Sequence, residues 1–300
     1  MRTMKRLVRY KNGNYTVTID TKNGTKIREN DLDFFRADFP ESMDIKITNR
    51  CDMGCPMCHE NSTKDGIHGD IISESFIDKL HPYTELAIGG GNPLEHPDLV
   101  TFLEKCKKLQ LIPSMTVNQI HFMMNLDFIK ELVDKKLIYG LGVSLVSVSD
   151  DFIATIRQFP NAVIHVINGI VMPFQLEALS HKNLKLLILG YKEFRRGEKM
   201  YQAQGKVIEE VKSYLYNKLP RIINENWFDV VSFDNLAIKQ LDVKRVVSND
   251  DWEQFYMGDD GSATMYVDMV NREFAKSSTS TERYPLGDDI ITMFSKIRTN

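Results

Sequence analysis

Cysteine is scarce in this sequence, and neither sign of charge dominates it. The 300 residues include four cysteines, and 38 basic side chains nearly balance 41 acidic ones, for a formal net charge of -3. This balance excludes an overall positive field that would attract nucleic acid or an anionic membrane, although a local basic groove remains compatible with it. We therefore expect no strong nucleic-acid partner.

Long apolar runs are also missing. No stretch approaches the about 20 apolar residues that a membrane-spanning helix needs. The basic segment from Met1 to Tyr10 lacks the apolar stretch of a signal peptide. The sequence thus predicts no membrane partner and a cytoplasmic location. Its 42% apolar content suits a substantial buried core.

The N-terminal region predicts a small antiparallel cap. Residues 7–27 alternate apolar and polar side chains around two Asn-Gly steps, at Asn12-Gly13 and Asn23-Gly24. Such steps favour the tight turns of β-hairpins. We assign residues 1–42 to this N-terminal β-hairpin and its lead-in.

Short apolar strands then alternate with longer amphipathic stretches, which is typical of parallel strands joined by helical crossovers. Six strands are predicted, at residues 44–48, 85–89, 114–118, 140–145, 162–167 and 184–189. Helical patterns include residues 98–109, 126–135 and 198–219. Six units are too few for a complete eight-stranded barrel. The fold class predicted for residues 43–233 is therefore α/β, as a partial (β/α)6 TIM-like barrel.

The composition changes beyond residue 234. Acidic, glycine-containing turns at 257–261 precede an alternating segment at 263–268, and a helical pattern covers 290–297. We expect residues 234–300 to form a small α+β extension that caps the barrel or lies on its substrate side.

Three of the cysteines lie close together. Cys51, Cys55 and Cys58 directly follow the first predicted strand. Mutual disulfides within so short a segment would be strained, so metal ligation is favoured. Thiolates are the usual ligands of iron–sulfur clusters, and three of them leave one metal position open. Cys106 instead shares a helical face with apolar neighbours such as Phe102, and we expect it to pack in the core.

This C-x3-C-x2-C spacing after the first strand resembles the hallmark of the radical S-adenosylmethionine (SAM) superfamily. The resemblance implies that Cys51, Cys55 and Cys58 hold one 4Fe–4S cluster whose open iron binds SAM. It also implies an electron donor such as flavodoxin or ferredoxin. The expected activity is reductive cleavage of SAM to a 5′-deoxyadenosyl radical, which abstracts hydrogen from a substrate.

A second match lies at the end of the second predicted strand. Gly89-Gly90-Gly91-Asn92-Pro93 resembles the family's Gly-Gly-Glu-Pro element near the methionyl amino group. Glycines let backbone carbonyls approach that ammonium closely. Asn92 replaces the usual glutamate and keeps a side-chain carbonyl as acceptor. The other cofactor contacts that the resemblance implies are Met57, where the family usually has an aromatic residue, and Asn118, Ser144, Val166 and Ile167.

The substrate is indicated only by weaker features. Lys192 and Arg195, with Arg196, follow the sixth strand and could grip a carboxylate or phosphate at the catalytic mouth. An ordinary solvated basic loop is equally compatible with them. The C-terminal region resembles the SPASM/twitch-like extension of peptide-modifying radical enzymes without its cysteines. That resemblance implies a peptide or protein side chain as substrate, with a nucleotide or small metabolite as the alternative.

Other readings of the cysteine triplet remain open. It could bind zinc with His59 or a distant residue as fourth ligand, although zinc usually staples small domains. A purely electron-transferring cluster generally has four protein ligands. A non-enzymatic cluster-bearing sensor is a further alternative. His165, on the fifth strand, points either into the barrel or beneath a helix.

Overall fold

The structure is a computed structural model that describes residues 6–32 and 34–299. The first five residues of the basic segment from Met1 to Tyr10 therefore lie outside the described residues, as do Asp33 and Asn300.

The N-terminal region forms a three-stranded antiparallel sheet in the order β1-β2-β3. Its strands are β1 (Leu7–Asn12), β2 (Tyr15–Asp20) and β3 (Lys26–Glu29). Gly13 turns the chain between β1 and β2 with a φ of +58°, and a Cβ there would overlap the Arg36 carbonyl oxygen. The expected hairpin is present, and the second Asn-Gly step adds a third strand to it.

The main sheet contains six consecutive parallel strands in sequence order. They are β4 (Ser42–Thr48), β5 (Glu85–Gly90), β6 (Ile112–Asn118), β7 (Gly140–Ser144), β8 (Ala162–Ile167) and β9 (Lys185–Leu189). The predicted strands agree with these bounds to within two residues. A mixed α/β fold with a large parallel sheet is therefore confirmed.

Four further strands extend this sheet on both sides. Strand β10 (Val230–Phe233) pairs in parallel with β9. Strand β11 (Thr264–Asp268) pairs in parallel with β4, and β12 (Glu273–Ala275) and β13 (Tyr284–Pro285) follow it antiparallel. The C-terminal residues thus contribute three strands to the main sheet, next to the strand that leads into the cysteine triplet.

Nine α-helices are found among the described residues. They are α1 (Leu99–Lys108), α2 (Gln119–Met124), α3 (Leu126–Asp134), α4 (Asp150–Ile156), α5 (Pro173–Leu179), α6 (Arg196–Asn224), α7 (Asn235–Leu241), α8 (Asn249–Phe255) and α9 (Ile290–Ile297). Short 3-10 turns cover Ser75–Lys79, Pro93–Glu95 and Val243–Val246. Within the described part of the chain, no helix has the length and apolar character needed to cross a membrane.

The two faces of the main sheet differ in chemistry. One face packs under the helices through buried apolar side chains, including Met43, Ile45, Ile88, Val117, Val143 and Ile164. The opposite face, here called the polar face, carries Asp44, Lys46, Thr48, Thr116, Asn118, Ser144 and His165. Cys106 lies in the core as expected, and its burial raises the pKa of its thiol to about 12.

Candidate functional site

The three cysteines lie on a loop, residues 49–69, that leaves the carboxyl end of β4; we call it the cysteine loop. Cys51, Cys55 and Cys58 are all half-buried. Gly54 turns the chain between the first two with a φ of +59°, and the Cys58 N–H donates to the Cys55 carbonyl at 3.2 Å. The triplet therefore lies on one loop at the carboxyl end of β4, with a backbone turn joining Cys55 and Cys58.

The thiols of this loop are close enough to influence one another. Burial raises the pKa of Cys51, and the neighbouring Cys55 and Cys58 raise it further. Burial and Cys58 likewise raise the pKa of Cys55. Three adjacent thiolates are unfavourable in such a setting without a compensating positive charge, which a metal would supply if bound there.

Backbone hydrogen bonds fold the cysteine loop back onto its own start. The Cys51 N–H donates to the Thr63 carbonyl at 2.8 Å, and the Thr63 N–H donates to the Asn49 carbonyl at 3.0 Å. Farther along, the Gly69 N–H donates to the Ile47 carbonyl at 2.8 Å. The loop is thus anchored at both ends of its course, which fixes the first cysteine relative to β4.

The glycine-rich segment at the end of β5 lies directly against this loop. The Gly91 N–H donates to the Thr48 carbonyl at 2.8 Å, and the Asn92 N–H donates to the Arg50 carbonyl at 2.7 Å. Gly90 has a φ of +107°, and a Cβ there would lie 2.5 Å from the Thr48 carbonyl oxygen. Glycine is required at this approach because any side chain would separate the two segments.

Asn92 caps the 3-10 turn that follows β5. Its side-chain oxygen accepts from the Leu94 N–H at 3.3 Å, and its side-chain nitrogen donates to Glu95 at 3.1 Å. The residue is only 5% exposed. Its side chain is therefore held by its own turn, beside the cysteine loop.

Three other predicted cofactor contacts, Asn118, Ser144 and Ile167, lie on one face of the sheet. The register pairs Asn118 with Ser144, and Ser144 with His165. Asn118 also caps α2 by accepting from the Ile120 N–H at 2.8 Å. Ile167 is half-buried two residues beyond His165, whereas Val166 points to the opposite face and packs in the core. The structure thus brings Asn118, Ser144 and Ile167 to one face and separates Val166 from them.

Basic residues after β9 make contacts with the cysteine loop. Lys192 Nζ lies 3.3 Å from His59 Nε2 and 3.0 Å from Ser278 Oγ. Arg195 donates to the Glu60 carbonyl at 3.0 Å. These side chains therefore tie the segment between β9 and α6 to the cysteine loop, in addition to any contact with substrate.

A buried ionic network behind the loop was not predicted. Lys46 Nζ lies 3.0 Å from Asp268 and 3.1 Å from Glu60, and the Tyr266 hydroxyl donates to Glu60 at 3.0 Å. Burial would raise the pKa of Glu60, but the hydrogen bond from His59 and the charge of Lys46 outweigh it and lower that pKa. The network links β4, β11 and the cysteine loop. The available sequence signal was a lysine between two isoleucines, Ile45 and Ile47, in a predicted strand.

Two titratable groups on the polar face, Asp44 and His165, have shifted pKa values. The side chain of Asp44 is exposed on the polar face, but desolvation by the strands around it raises its pKa to about 6. The charge of Lys192 opposes this rise, and the charges of Asp260 and Asp234 add to it. Burial alone lowers the pKa of His165 to about 4. His165 is therefore neutral near pH 7, and it faces the same side of the sheet as Ser144.

A second possible cation position involves His121, which sequence reasoning left without a role. His121 Nε2 lies 2.7 Å from Asp52 Oδ1. Ligand atoms of Cys51, Asp52 and His121 all lie within 4.8 Å of one another. No sequence spacing relates His121 to the cysteines, because β5, α1 and β6 separate them along the chain.

Comparison with known proteins found similar solved structures but no similar sequences. No protein-family model matches the sequence, and no curated protein sequence matches it. Among solved structures, SuiB of Streptococcus suis bound to the precursor peptide SuiA is 12% identical, with a TM-score of 0.63 over 98% of this chain and 88% of that chain.

A second SuiB structure, bound to S-adenosylmethionine, is 11% identical, with a TM-score of 0.59 over 94% of this chain and 85% of that chain. A further SuiB structure gives a TM-score of 0.55 at 12% identity, over 91% and 82% of the two chains. The chain therefore has the fold of SuiB. At 11–12% identity, these matches show a shared fold.

Proposed function

We propose that this chain is a radical SAM enzyme in which Cys51, Cys55 and Cys58 hold a single 4Fe–4S cluster. One observation carries the proposal. The triplet follows β4, and the backbone just before it, at Thr48 and Arg50, is hydrogen-bonded to the glycine-rich segment after β5, in a fold shared with a protein solved with bound SAM. Strands β4 to β9 would form the partial (β/α)6 barrel around this site.

The spacing of the thiols fits a cluster better than a single zinc ion. Sulfur ligands on the corners of a zinc tetrahedron are separated by about 3.8 Å, because each Zn–S bond is about 2.3 Å. Among the described residues, the three cysteines do not form a group whose ligand atoms all lie within 4.8 Å of one another. A wider arrangement suits a multinuclear cluster, and the buried Cys106 is not available as a fourth ligand.

The proposed SAM site lies between the cysteine loop and the polar face. Gly90 and Gly91 would offer backbone carbonyls to the methionyl ammonium, and Asn92 would hold that backbone in place. Met57 would border the adenine. Asn118, Ser144 and Ile167 would complete the pocket, with Val166 supporting that strand from the core side.

When bound, the cluster and SAM supply an electron-driven cleavage that yields a 5′-deoxyadenosyl radical able to abstract hydrogen. The chain's own residues hold and enclose this site. The Lys46–Asp268 pair fixes β11 beside β4, and Arg195 fastens the cysteine loop to the start of α6. We propose flavodoxin or ferredoxin as the electron donor, in a cytoplasm that keeps the thiols reduced.

For the substrate, we propose a peptide or protein side chain. SuiB was solved with a precursor peptide, which supports a peptide substrate for the fold that the two chains share. In this proposal, residues 43–233 carry the chemistry, residues 1–42 form the N-terminal unit, and residues 234–300 cap the substrate side. Lys192 and Arg195 would act mainly through their contacts with the cysteine loop and Ser278.

The experiment is anaerobic reconstitution followed by iron and sulfide analysis and a test for 5′-deoxyadenosine. We expect about four iron atoms for each chain, as a 4Fe–4S cluster requires, and release of 5′-deoxyadenosine from SAM under reducing conditions. Alanine at Cys51, Cys55 or Cys58 should abolish both, while Cys106→Ala should leave iron bound. Iron retained in all three loop variants would refute the assignment.

A zinc-binding, non-enzymatic protein is the second candidate. The specific observation that favours it is the grouping of Cys51, Asp52 and His121, a mixed ligand set that zinc accepts. Metal analysis of protein purified without added iron distinguishes the two. One tightly bound zinc that is lost in His121→Ala would support this candidate instead.

A further inference from the structure

A large cavity lies at the opposite end of the main sheet from the cysteine loop. Gly140 and Ala162, the first residues of β7 and β8, line it, together with residues at the ends of α1 and α3 and in the turn after β2. Its volume is about 870 Å³, which lies within the range of about 300–1,000 Å³ that is typical of ligand pockets. The cavity is therefore large enough for a ligand of several side chains.

The charged side chains that line this cavity are all positive. Among the described residues that line it, none is acidic, and the basic ones are Arg6, Lys22, Lys107, Lys108 and Lys136; we call the cavity the basic groove. Arg6 pairs with Asp20 at 3.2 Å. Across the described part of the chain, no carboxylate lies within ion-pairing distance of the four lysines. A cleft lined by one sign of charge concentrates ligands of the opposite sign.

The floor of the basic groove is apolar. Ile138, Leu141 and Ala162 line it and are buried. Phe159 is half-buried and Pro160 is exposed beside them, as are three of the lysines at the rim. A ligand can therefore cover apolar surface on the floor, which favours binding at any charge, while its acidic groups reach the lysines.

Hydrogen bonds from one side chain hold two walls of the basic groove together. Asn161 Nδ2 donates to the Lys22 carbonyl at 3.1 Å and to the Tyr139 carbonyl at 2.9 Å. The turn after β2, which belongs to the N-terminal sheet, is thus fixed to the amino ends of β7 and β8. A groove that is already formed loses less conformational freedom when a ligand binds.

We propose that the basic groove binds an acidic, partly apolar segment of the peptide substrate. This inference rests on the proposed peptide-modifying function. Carboxylates of the segment pair with Lys22, Lys108 and Lys136, and its apolar side chains contact the floor. Inorganic phosphate would use the lysines alone, and the net charge of -3 disfavours a nucleic acid.

The position of the basic groove separates this segment from the reacting side chain. Strand β7 has five residues, so about 16 Å of extended chain lies between the groove and the carboxyl ends of the strands. The proposed SAM site is at those carboxyl ends. The acidic segment is therefore at least about five extended residues away, along the substrate, from the side chain that the radical attacks.

The test is fluorescence anisotropy of the full-length protein with a labelled probe peptide of alternating glutamate and leucine. We expect saturable binding that weakens as salt is added, and no binding of a peptide of alternating lysine and leucine. Lys108→Glu combined with Lys136→Glu should weaken binding by about tenfold, because two exposed rim charges are reversed. Lys182→Glu combined with Lys206→Glu is the matched control, since both lysines are exposed outside the groove and the net charge changes equally.

A measurement on the wild type locates the probe without any variant. A carbodiimide couples carboxylates to the lysines that they contact, and mass spectrometry should find the probe joined to Lys22, Lys108 or Lys136. Cross-links found only outside the groove, or equal weakening in the two double variants, would overturn the proposal. Displacement of the probe by a single-stranded oligonucleotide at a lower concentration than by unlabelled probe would overturn it too.

Failure of the proposed function gives a different result. Protein that binds the probe in the groove but releases no 5′-deoxyadenosine from SAM would refute the radical chemistry and support the groove as a peptide site. Protein that releases 5′-deoxyadenosine but does not bind the probe would refute the groove alone.

Discussion

The Lys46 ammonium lies 3.0 Å from the Asp268 carboxylate, and both side chains are almost fully buried. The two residues are register partners on parallel strands, β4 and β11, that are far apart in the sequence. Lys46 also reaches Glu60 in the cysteine loop. A single buried ammonium therefore connects the strand before the cysteines, the loop that carries them and the C-terminal strand.

Replacing Lys46 by alanine should strongly destabilise the protein. The change leaves two carboxylates buried without their cation, and breaking a buried ion pair on one side typically costs about 3–5 kcal/mol. Urea unfolding followed by circular dichroism measures the loss. Lys135→Ala is the control, since its pair with Glu131 is exposed and such surface pairs contribute little to stability. Equal losses in the two variants would contradict a structural role for the network.

Gly90→Ala should disturb the contact between β5 and the cysteine loop. The residue has a φ of +107°, and a Cβ would press on the Thr48 carbonyl and the Lys46 side chain. We expect a loss of about 1–3 kcal/mol in the free energy of unfolding, as for other strained backbone positions, together with weaker SAM binding by calorimetry.

Gly89→Ala is the matched control for this substitution. The adjacent Gly89 has open space where a Cβ would stand. Its alanine variant should keep the wild-type free energy of unfolding. If Gly89→Ala and Gly90→Ala behave alike, the close approach at Gly90 has no special importance.

The local features of this protein could be predicted from its sequence, and the long-range ones could not. The cysteine triplet lies within one short loop, so spacing alone identifies it. The six parallel strands follow from short apolar runs between amphipathic stretches. The pairing of β11 with β4 has no such signal, because no local sequence pattern shows which distant strands become neighbours.

The same limit applies to the residues that sequence reasoning missed. Lys46 lies between Ile45 and Ile47 in a predicted strand, but its partner Asp268 lies 222 positions away. His121 meets Asp52 only because β6 returns to the cysteine loop. Asn92 was predicted as a cofactor contact from a motif. Its hydrogen bonds to Leu94 and Glu95 were not predicted, because they depend on the turn that follows it.

The stability of the protein should depend on His165 in mildly acidic solution. Burial lowers the pKa of His165 to about 4 in the folded state, compared with about 6.5 in an unfolded chain. Between these values the unfolded state binds more protons, so the free energy of unfolding falls as the pH drops from about 6.5 to 4. Above this window the contribution of His165 is constant.

His165→Gln should remove this part of the acid sensitivity. Unfolding curves for wild type and variant, measured at several pH values, should converge as the pH falls through the window. His181, on the surface after α5, makes a suitable control, because its replacement by glutamine leaves the burial of His165 intact. An identical pH dependence in wild type and His165→Gln would mean that His165 can be protonated in the folded state.

Asn92→Ala tests whether the capped turn after β5 matters for SAM. The change removes the acceptor of the Leu94 N–H and the donor to Glu95, and loss of such a cap costs about 1 kcal/mol. Because the Asn92 backbone is bonded to Arg50 in the cysteine loop, we also expect weaker SAM binding in a calorimetric titration. Asp289→Ala removes the comparable cap of α9, far along the chain from the cysteines, and should lower stability without changing SAM affinity. Unaltered affinity in Asn92→Ala would mean that this residue serves only its own turn.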